Sequence, residues 1–171
     1  MQKQMKKNFP RIISGGQTGV DRAALDAALE LGLPAGGWCP RGRRAEDGPI
    51  DLRYPLQETH SPYYPVRTEK NVLESDGTLI LTRGKPGGGT ALTLKLARFH
   101  RRPYLVIDLN KGADKEALWQ WGQGNHIAVL NVAGPREGEA PGIYDQAFGF
   151  LKEVLRGYKF SDRPSPGLPG K

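Results

Sequence analysis

Cysteine is nearly absent from this sequence, since Cys39 is the only one among 171 residues. An internal disulfide is therefore excluded, and a metal site built from cysteines is not expected. Long apolar runs are missing as well: none approaches the roughly 18 residues that a membrane span needs, and no apolar signal segment follows the N-terminal lysines. We expect a cytoplasmic protein of a reducing compartment that has no contact with a membrane.

Histidine is also scarce. His60, His100 and His126 lie on separate predicted elements and lack the paired spacing of metal ligands. We therefore expect no metal ion bound directly by the protein.

Acidic residues are fewer than basic ones, which gives the chain a net charge of +7. Such an excess can indicate a nucleic-acid-binding protein. However, Lys3, Lys6 and Lys7 supply three of these charges near the N-terminus, and the other basic residues are not interleaved with aromatic ones. A phosphorylated small molecule accounts for the charge at least as well, and we expect such a partner rather than nucleic acid.

Short apolar segments alternate with helical patterns along the chain. Strands are predicted at residues 11–14, 35–39, 56–60, 77–82, 103–109 and 127–132, and helices at residues 21–31, 64–75, 89–100, 111–123 and 144–155. Right-handed crossovers between parallel strands place helices over both faces of a sheet. We therefore predict an α/β fold of Rossmann type, with a doubly wound, mainly parallel sheet of about six strands and helices on both faces.

The length of the chain is in the usual range of one domain. We assign residues 1–10 to a basic N-terminal arm and residues 11–158 to a single Rossmann-like domain. Residues 159–171 are rich in proline and glycine and contain little apolar surface. We predict that this tail is disordered, because it buries too little surface to offset the entropy of ordering.

Glycine-rich loops follow the first and the fourth predicted strands and lead into helices. The first contains GGQTG at residues 15–19, and the second contains PGGGT at residues 86–90. In the strand order 3-2-1-4-5-6 these two strands are neighbours, and ligands bind beyond their carboxyl ends. Glycine allows close approach of the backbone, and free amides at a helix start favour an anion. We predict that both loops form one pocket for a phosphorylated small molecule.

The candidate binding residues combine backbone amides, hydroxyl groups and cationic side chains. The cations on or near the loops can neutralise phosphate charge through charge-assisted hydrogen bonds. The candidates are Ser14, Gly15, Gly16, Gln17, Thr18, Gly19, Arg41, Arg83, Lys85, Gly87, Gly88, Gly89 and Thr90.

Five segments resemble the molybdenum cofactor carrier family, which is part of a Rossmann-like superfamily that includes the LONELY GUY-type phosphoribohydrolases. They are IISGGQTGVDRAALDAA at residues 12–28, GWCPRGRRAEDG at residues 37–48, residues 64–71, GTLILTRGKPGGGTALT at residues 77–93 and VLNVAGPRE at residues 129–137. The resemblance implies the same fold and a site for molybdenum cofactor (molybdopterin) or a nucleotide. It also implies a homo-oligomer, since relatives in the superfamily form dimers or larger assemblies.

The phosphoribohydrolases carry a PGGxGTxxE motif whose glutamate acts in cleavage of the N-glycosidic bond. Here the glycine run is one residue shorter, and Thr93 stands where the glutamate is expected. A threonine cannot act as a carboxylate base, which puts hydrolysis by that route in doubt. Asp21 and Glu46 are the carboxylates that could replace the glutamate. For Asp21, a purely structural role in the first turn of a helix is an equal alternative.

Two functions therefore compete. The first is a binding or carrier protein for a phosphorylated heterocyclic ligand, either molybdenum cofactor or a nucleotide. The second is a nucleoside-monophosphate phosphoribohydrolase. The absence of the glutamate favours the carrier and leaves the question of catalysis open.

Overall fold

The computed structural model describes residues 10–112 and 114–157. The helices are α1 (Val20–Glu30), α2 (Tyr64–Glu74), α3 (Gly88–Phe99), α4 (Lys115–Gly124) and α5 (Ile143–Gly157). The strands are β1 (Arg11–Ile13), β2 (Ala35–Gly36), β3 (Trp38–Cys39), β4 (Arg44–Ala45), β5 (Gly48–Pro49), β6 (Gln57–Glu58), β7 (Gly77–Thr82), β8 (Tyr104–Asp108) and β9 (Val129–Ala133). The predicted tail and, except for Pro10, the predicted arm lie outside the described residues.

The central sheet has five strands in the order β2-β1-β9-β7-β8, and all of its pairings are parallel. Helices follow the strands as predicted, so the Rossmann-like α/β class is confirmed. The predicted neighbours, β1 and β7, are not adjacent, because β9 lies between them and pairs with both. The expected strand order was therefore wrong. Periodicity reveals that a strand exists, but the place of the last strand in the sheet depends on non-local pairing.

The sheet nevertheless follows the Rossmann order when its strands are counted from a different start. If β9 is counted first, the order β2-β1-β9-β7-β8 becomes 3-2-1-4-5. In the chain, β1 leads to β2 on one side of β9, and β7 leads to β8 on the other. Because right-handed crossovers in opposite directions place their helices on opposite faces, the winding reverses between β9 and β7.

The helices pair according to this reversal. α1 packs against α5, and α2 packs against α3. The largest cluster of buried apolar side chains joins α1, α4 and α5 to the sheet, and Leu79, Leu81 and Val132 of the sheet are fully buried in it. This burial is the main favourable term that holds the layers together.

The predicted second and third strands differ from the observed ones. Gly37, with φ +122°, turns the chain so that β2 joins the central sheet while β3 pairs with β6 in a separate two-stranded sheet. A residue with a side chain rarely adopts such a φ. The central sheet therefore has five strands rather than about six.

The long connection between β3 and β6 is held by one arginine. The Arg43 guanidinium donates hydrogen bonds to the carbonyl oxygens of Ile50, Asp51 and Tyr54 at 2.8–3.0 Å and of Leu56 at 3.3 Å. Several backbone acceptors are satisfied by this single cation. Arg43 thus cross-links the connection within itself.

Within the described residues, the helices lack the length and apolar character that crossing a membrane requires.

Two glycines offer a test of this packing. A Cβ at Gly134, just after β9, would lie 2.3 Å from Leu81 O and 2.5 Å from Val20 Cγ2, whereas a Cβ at Gly149 on α5 would meet nothing within 4 Å. We expect Gly134→Ala to lower the free energy of unfolding by about 1–3 kcal/mol through overpacking. Gly149→Ala should raise it by about 0.5–1 kcal/mol through helix propensity. Urea denaturation of both variants measures the two changes, and equal effects would contradict the packing described here.

Candidate functional site

One cavity of about 290 Å³, here called the central cavity, opens at the carboxyl ends of β1 and β9. It lies where the winding of the sheet reverses, which is the usual ligand position in doubly wound folds. Its walls come from both glycine loops, α2, α3 and the segment after β9. The lining residues are Gly15, Gln17, Asp21, Tyr64, Pro65, Arg67, Thr68, Asn71, Gly88, Gly89, Thr90, Leu92, Thr93, Asn131, Val132, Ala133, Gly134, Arg136 and Glu139.

Arg67 of α2 is the cation in the inner part of this cavity. Its side chain crosses Gly15 so closely that a Cβ there would lie 2.7 Å from Arg67 Nε. The guanidinium donates to Thr68 Oγ1 and lies 5.4 Å from the centroid of the Tyr64 ring. Arg67 Nε is buried and has no hydrogen-bond partner among the described residues. Buried polar groups rarely lack partners, so this atom marks a place for an acceptor.

Asp21, in the first turn of α1, is the buried carboxylate of the cavity, and only 5% of its surface is exposed. One of its oxygens, Oδ2, accepts a hydrogen bond from Gln17 N at 3.2 Å. Burial raises the pKa of Asp21 from 3.8 to about 6, although Arg67, the Gln17 amide and Arg22 act in the opposite direction. Desolvation of the charged form therefore outweighs the nearby positive charge.

The start of α3 forms another wall. Gly87 supplies no side-chain cap, and Ala91 N is the first helical amide to donate to a preceding carbonyl oxygen, that of Gly87. The amides of Gly88, Gly89 and Thr90 are therefore the free donors of the first turn. Thr93, at the position of the missing glutamate, donates its hydroxyl to Gly89 O at 3.0 Å.

An ion pair lies at the rim of the cavity. Arg136 Nε is 2.9 Å from Glu139 Oε1 and 3.8 Å from Glu46 Oε2. About two fifths of the Arg136 and Glu139 side chains are exposed, at 38% and 43%. The rim therefore has both charges within reach of solvent, unlike the inner cavity.

Ser14, Gly16 and Gly19 of the first glycine loop have structural roles within the protein. Ser14 is fully buried, and its hydroxyl accepts a hydrogen bond from Gly16 N at 3.4 Å. Gly16 and Gly19 have φ of +79° and +77°. A Cβ would lie 2.6 Å from Leu56 Cδ1 at Gly16, and 2.3 Å from Pro135 O at Gly19. Both glycines are required by backbone geometry and close packing.

Gln17, Thr18 and Glu46 tie the loop to its neighbours. The Thr18 hydroxyl donates to the Glu46 carboxylate and accepts from Glu137 N at 3.1 Å. Glu46 Oε1 also accepts from Gly138 N at 2.9 Å, and Gln17 Oε1 accepts from Glu46 N at 2.9 Å. Of these candidates, only Gln17 lines the central cavity. Glu46, a candidate catalytic residue, joins three chain segments outside it.

The cations predicted from the sequence lie elsewhere. Arg83 donates to Gln146 Oε1 and to Pro141 O, both at 2.7 Å. Lys85 lines a separate open groove of about 640 Å³ beside β8. Arg41 is exposed and donates to a main-chain carbonyl oxygen at 3.1 Å. The central cavity thus brings together Gly15, Gln17, Gly88, Gly89 and Thr90 of the candidates, but not these three cations.

Two arginines, Arg67 and Arg136, line the cavity. Arg67 was missed because it lies within a helix rather than beside a glycine loop. Its signal was the resemblance over residues 64–71, the only matching segment without a glycine motif or a strand. No local pattern distinguishes this arginine from a solvated one on the surface of a helix.

Among the residues that the structure describes, no cluster of three or more histidine, cysteine, aspartate or glutamate side chains suited to a metal ion is present.

Comparison with known proteins agrees with this architecture. Residues 12–155 match the circularly permutated YpsA SLOG family. A crystal structure of a protein from Syntrophus aciditrophicus, named putative molybdenum carrier protein, has 47% sequence identity and a TM-score of 0.82, covering 88% of this chain and 98% of that one. No curated protein matches the sequence. A circular permutation accounts for the strand order, because β9, the last strand in the chain, occupies the central position that the first strand has in the 3-2-1-4-5 order.

Because the Asp21 carboxylate is buried, we expect that removing its charge stabilises the protein. Since the pKa of Asp21 is raised from 3.8 to about 6, the charged form destabilises the folded state above pH 6, and this cost disappears as the pH falls towards 4. We expect Asp21→Asn to raise the free energy of unfolding at pH 7.5 by roughly 3 kcal/mol. The gain should shrink below pH 6, as measured by urea denaturation across pH 4–8.

Asp47→Asn is the matched control. Hydrogen bonds from Arg22 hold the pKa of Asp47 below 3.8, so this substitution should destabilise the protein at pH 7.5. If Asp21→Asn were destabilising as well, Asp21 would not carry an uncompensated burial cost.

Proposed function

The chain belongs to the circularly permutated YpsA SLOG family, and we propose that it binds and carries a phosphorylated heterocyclic molecule in the central cavity. The observation that carries this proposal is the buried Nε atom of Arg67, which has no partner among the described residues. It lies in a cavity that is also lined by the free amides at the start of α3.

An anionic group would supply what both features lack. Leaving a buried donor of a charged side chain unpaired is costly, and an oxyanion that accepts from Arg67 would remove that cost. The amides of Gly88, Gly89 and Thr90 offer further donors at the positive end of the helix dipole. A phosphate group has several oxygens and can accept hydrogen bonds from both sets of donors.

The rest of the cavity suits a heterocycle attached to that phosphate. Tyr64, Pro65 and Leu92 provide apolar lining, and Gln17 and Asp21 provide polar groups. Asp21 Oδ1 has no hydrogen bond to any described residue, so an N–H or O–H group of a ligand can donate to it. Apolar lining beside polar groups that fix the orientation of a ligand is typical of small-molecule sites.

The name of the crystal-structure relative favours one cargo over others. That protein is named a putative molybdenum carrier and shares 47% of its sequence with this chain. We propose that molybdenum cofactor, a pterin with a phosphate group, is the cargo, and that a nucleotide is the alternative. Arg67 and the start of α3 would hold the phosphate, while Asp21 and Gln17 would orient the ring system.

The binding proposal is tested by removing the buried cation. We expect Arg67→Gln to weaken binding of adenosine 5′-monophosphate about tenfold or more, because a charge-assisted contact to phosphate is lost. Isothermal titration calorimetry measures the affinity, and native mass spectrometry of freshly purified wild type identifies any co-purifying pterin or nucleotide.

Arg41→Gln is the control, since it removes the same charge from an exposed side chain outside the cavity. Its affinity should equal that of the wild type. Equal affinities of all three proteins, or a complete lack of binding with no co-purifying ligand, would refute the proposal.

Asp21 also supports a second candidate, a nucleoside-monophosphate phosphoribohydrolase. A carboxylic acid with a pKa of about 6 is partly protonated near neutral pH and can serve as a general acid. If the chain releases a base from adenosine 5′-monophosphate, the rate should fall as the pH rises through about 6, and Asp21→Asn should abolish it. Chromatographic assay for free adenine decides this, and its absence at every pH leaves the carrier function.

A further inference from the structure

Glu139 places a negative charge beside the wall of the cavity where the ligand anion is expected. Its carboxylate oxygens would lie 3.6 and 3.8 Å from a Cβ at Gly88, the first residue of α3. Glu139 and Gly88 both line the central cavity. The same carboxylate holds the guanidinium of Arg136, with 2.9 Å between Nε and Oε1.

This carboxylate does not satisfy the donors that it approaches. Its hydrogen bond is to Arg136, and within the described ranges none joins it to the amides of Gly88, Gly89 or Thr90. It therefore reduces the positive potential at the start of α3 without replacing an anion that accepts from those amides. A second anion brought to the same place would be repelled by it.

We propose that Glu139 acts as an internal competitor of the ligand phosphate, an inference that rests on the proposed function of the central cavity. In the unliganded protein, Glu139 pairs with Arg136. When a phosphate group binds at the start of α3, Glu139 turns away and Arg136 transfers its hydrogen bonds to the phosphate. The exchange replaces the contact between Arg136 and Glu139 by one between Arg136 and the phosphate, so opening the ion pair makes the net free energy of phosphate binding less favourable.

The position of the pair makes this exchange feasible. Both side chains are partly exposed, at 38% for Arg136 and 43% for Glu139, so each can be resolvated when the pair opens. Exposed ion pairs of this kind add little to stability. Arg136 also has Glu46 at 3.8 Å, which keeps its guanidinium at the rim after Glu139 leaves.

Glu139→Gln removes the competing charge and tests the inference. We expect this variant to bind adenosine 5′-monophosphate and inorganic phosphate about fivefold or more tightly than the wild type at low ionic strength, because a nearby like charge is lost. Affinity for adenosine, which lacks the phosphate, should not change. Isothermal titration calorimetry supplies the affinities, and circular dichroism verifies the fold of each variant.

Glu153→Gln is the matched control, since Glu153 pairs with Lys115 and does not line the cavity. It changes the net charge equally and should leave all affinities unaltered. The double variant Glu139→Gln/Arg136→Gln should lose the gain, because Arg136 is the cation that Glu139 releases.

The outcomes separate this inference from the proposed function. If the wild type binds and Arg67→Gln weakens binding, but Glu139→Gln matches the wild type, the competitor role of Glu139 is refuted and the binding function stands. An equal gain in Glu139→Gln and Glu153→Gln also refutes it, since net charge then accounts for the effect. If neither the wild type nor Glu139→Gln binds either phosphate compound and no pterin or nucleotide co-purifies with the wild type, both proposals fail together.

Discussion

The contact of Arg67 with the backbone at Gly15 is the constraint on which the site depends. A side chain at position 15 would occupy the space of the guanidinium, so the glycine makes room for a cation in the cavity wall. Arg67 in turn lowers the pKa of the buried Asp21, yet the pKa stays near 6 because desolvation is larger. The central cavity thus contains a buried carboxylate with a raised pKa and a buried guanidinium nitrogen without a hydrogen-bond partner among the described residues.

The topology explains how these groups come together. α2, which carries Arg67, follows the long connection after β3, whereas Asp21 begins α1 directly after the first glycine loop. The insertion of β9 between β1 and β7 puts Gly134 beside Val20 and Leu81. The segment after β9 then reaches both loops and supplies the rim residues Arg136 and Glu139. The position of β9 in the sheet therefore determines part of the cavity wall.

The sequence predicted the fold class and the elements well, because helix and strand periodicity are local properties. It also located both loops whose residues line the cavity. It could not predict the order of the strands, which depends on pairing between distant segments, nor the use of Arg67, which has no local motif. Gly16 and Gly19 illustrate a further limit. A side chain at either position would clash with Leu56 or Pro135, so packing within the protein already requires these glycines. A glycine-rich loop by itself does not distinguish packing from ligand binding.

The arginines differ in how many of their N–H donors are hydrogen-bonded within the protein. Arg43 donates to backbone carbonyl oxygens, and Arg83 to Gln146 and a carbonyl oxygen, so the fold holds both side chains outside the central cavity. Arg22 also has a buried Nε without a partner among the described residues, but its terminal nitrogens donate to Asp47 and a carbonyl oxygen, and it lies outside the cavity. Arg67 combines a place in the cavity wall with a buried Nε that has no hydrogen-bond partner in the part of the chain that the structure describes. Since every arginine carries the same charge, it is the hydrogen-bond partners within the fold and the place in the cavity wall that distinguish Arg67 from the arginines beside the glycine motifs.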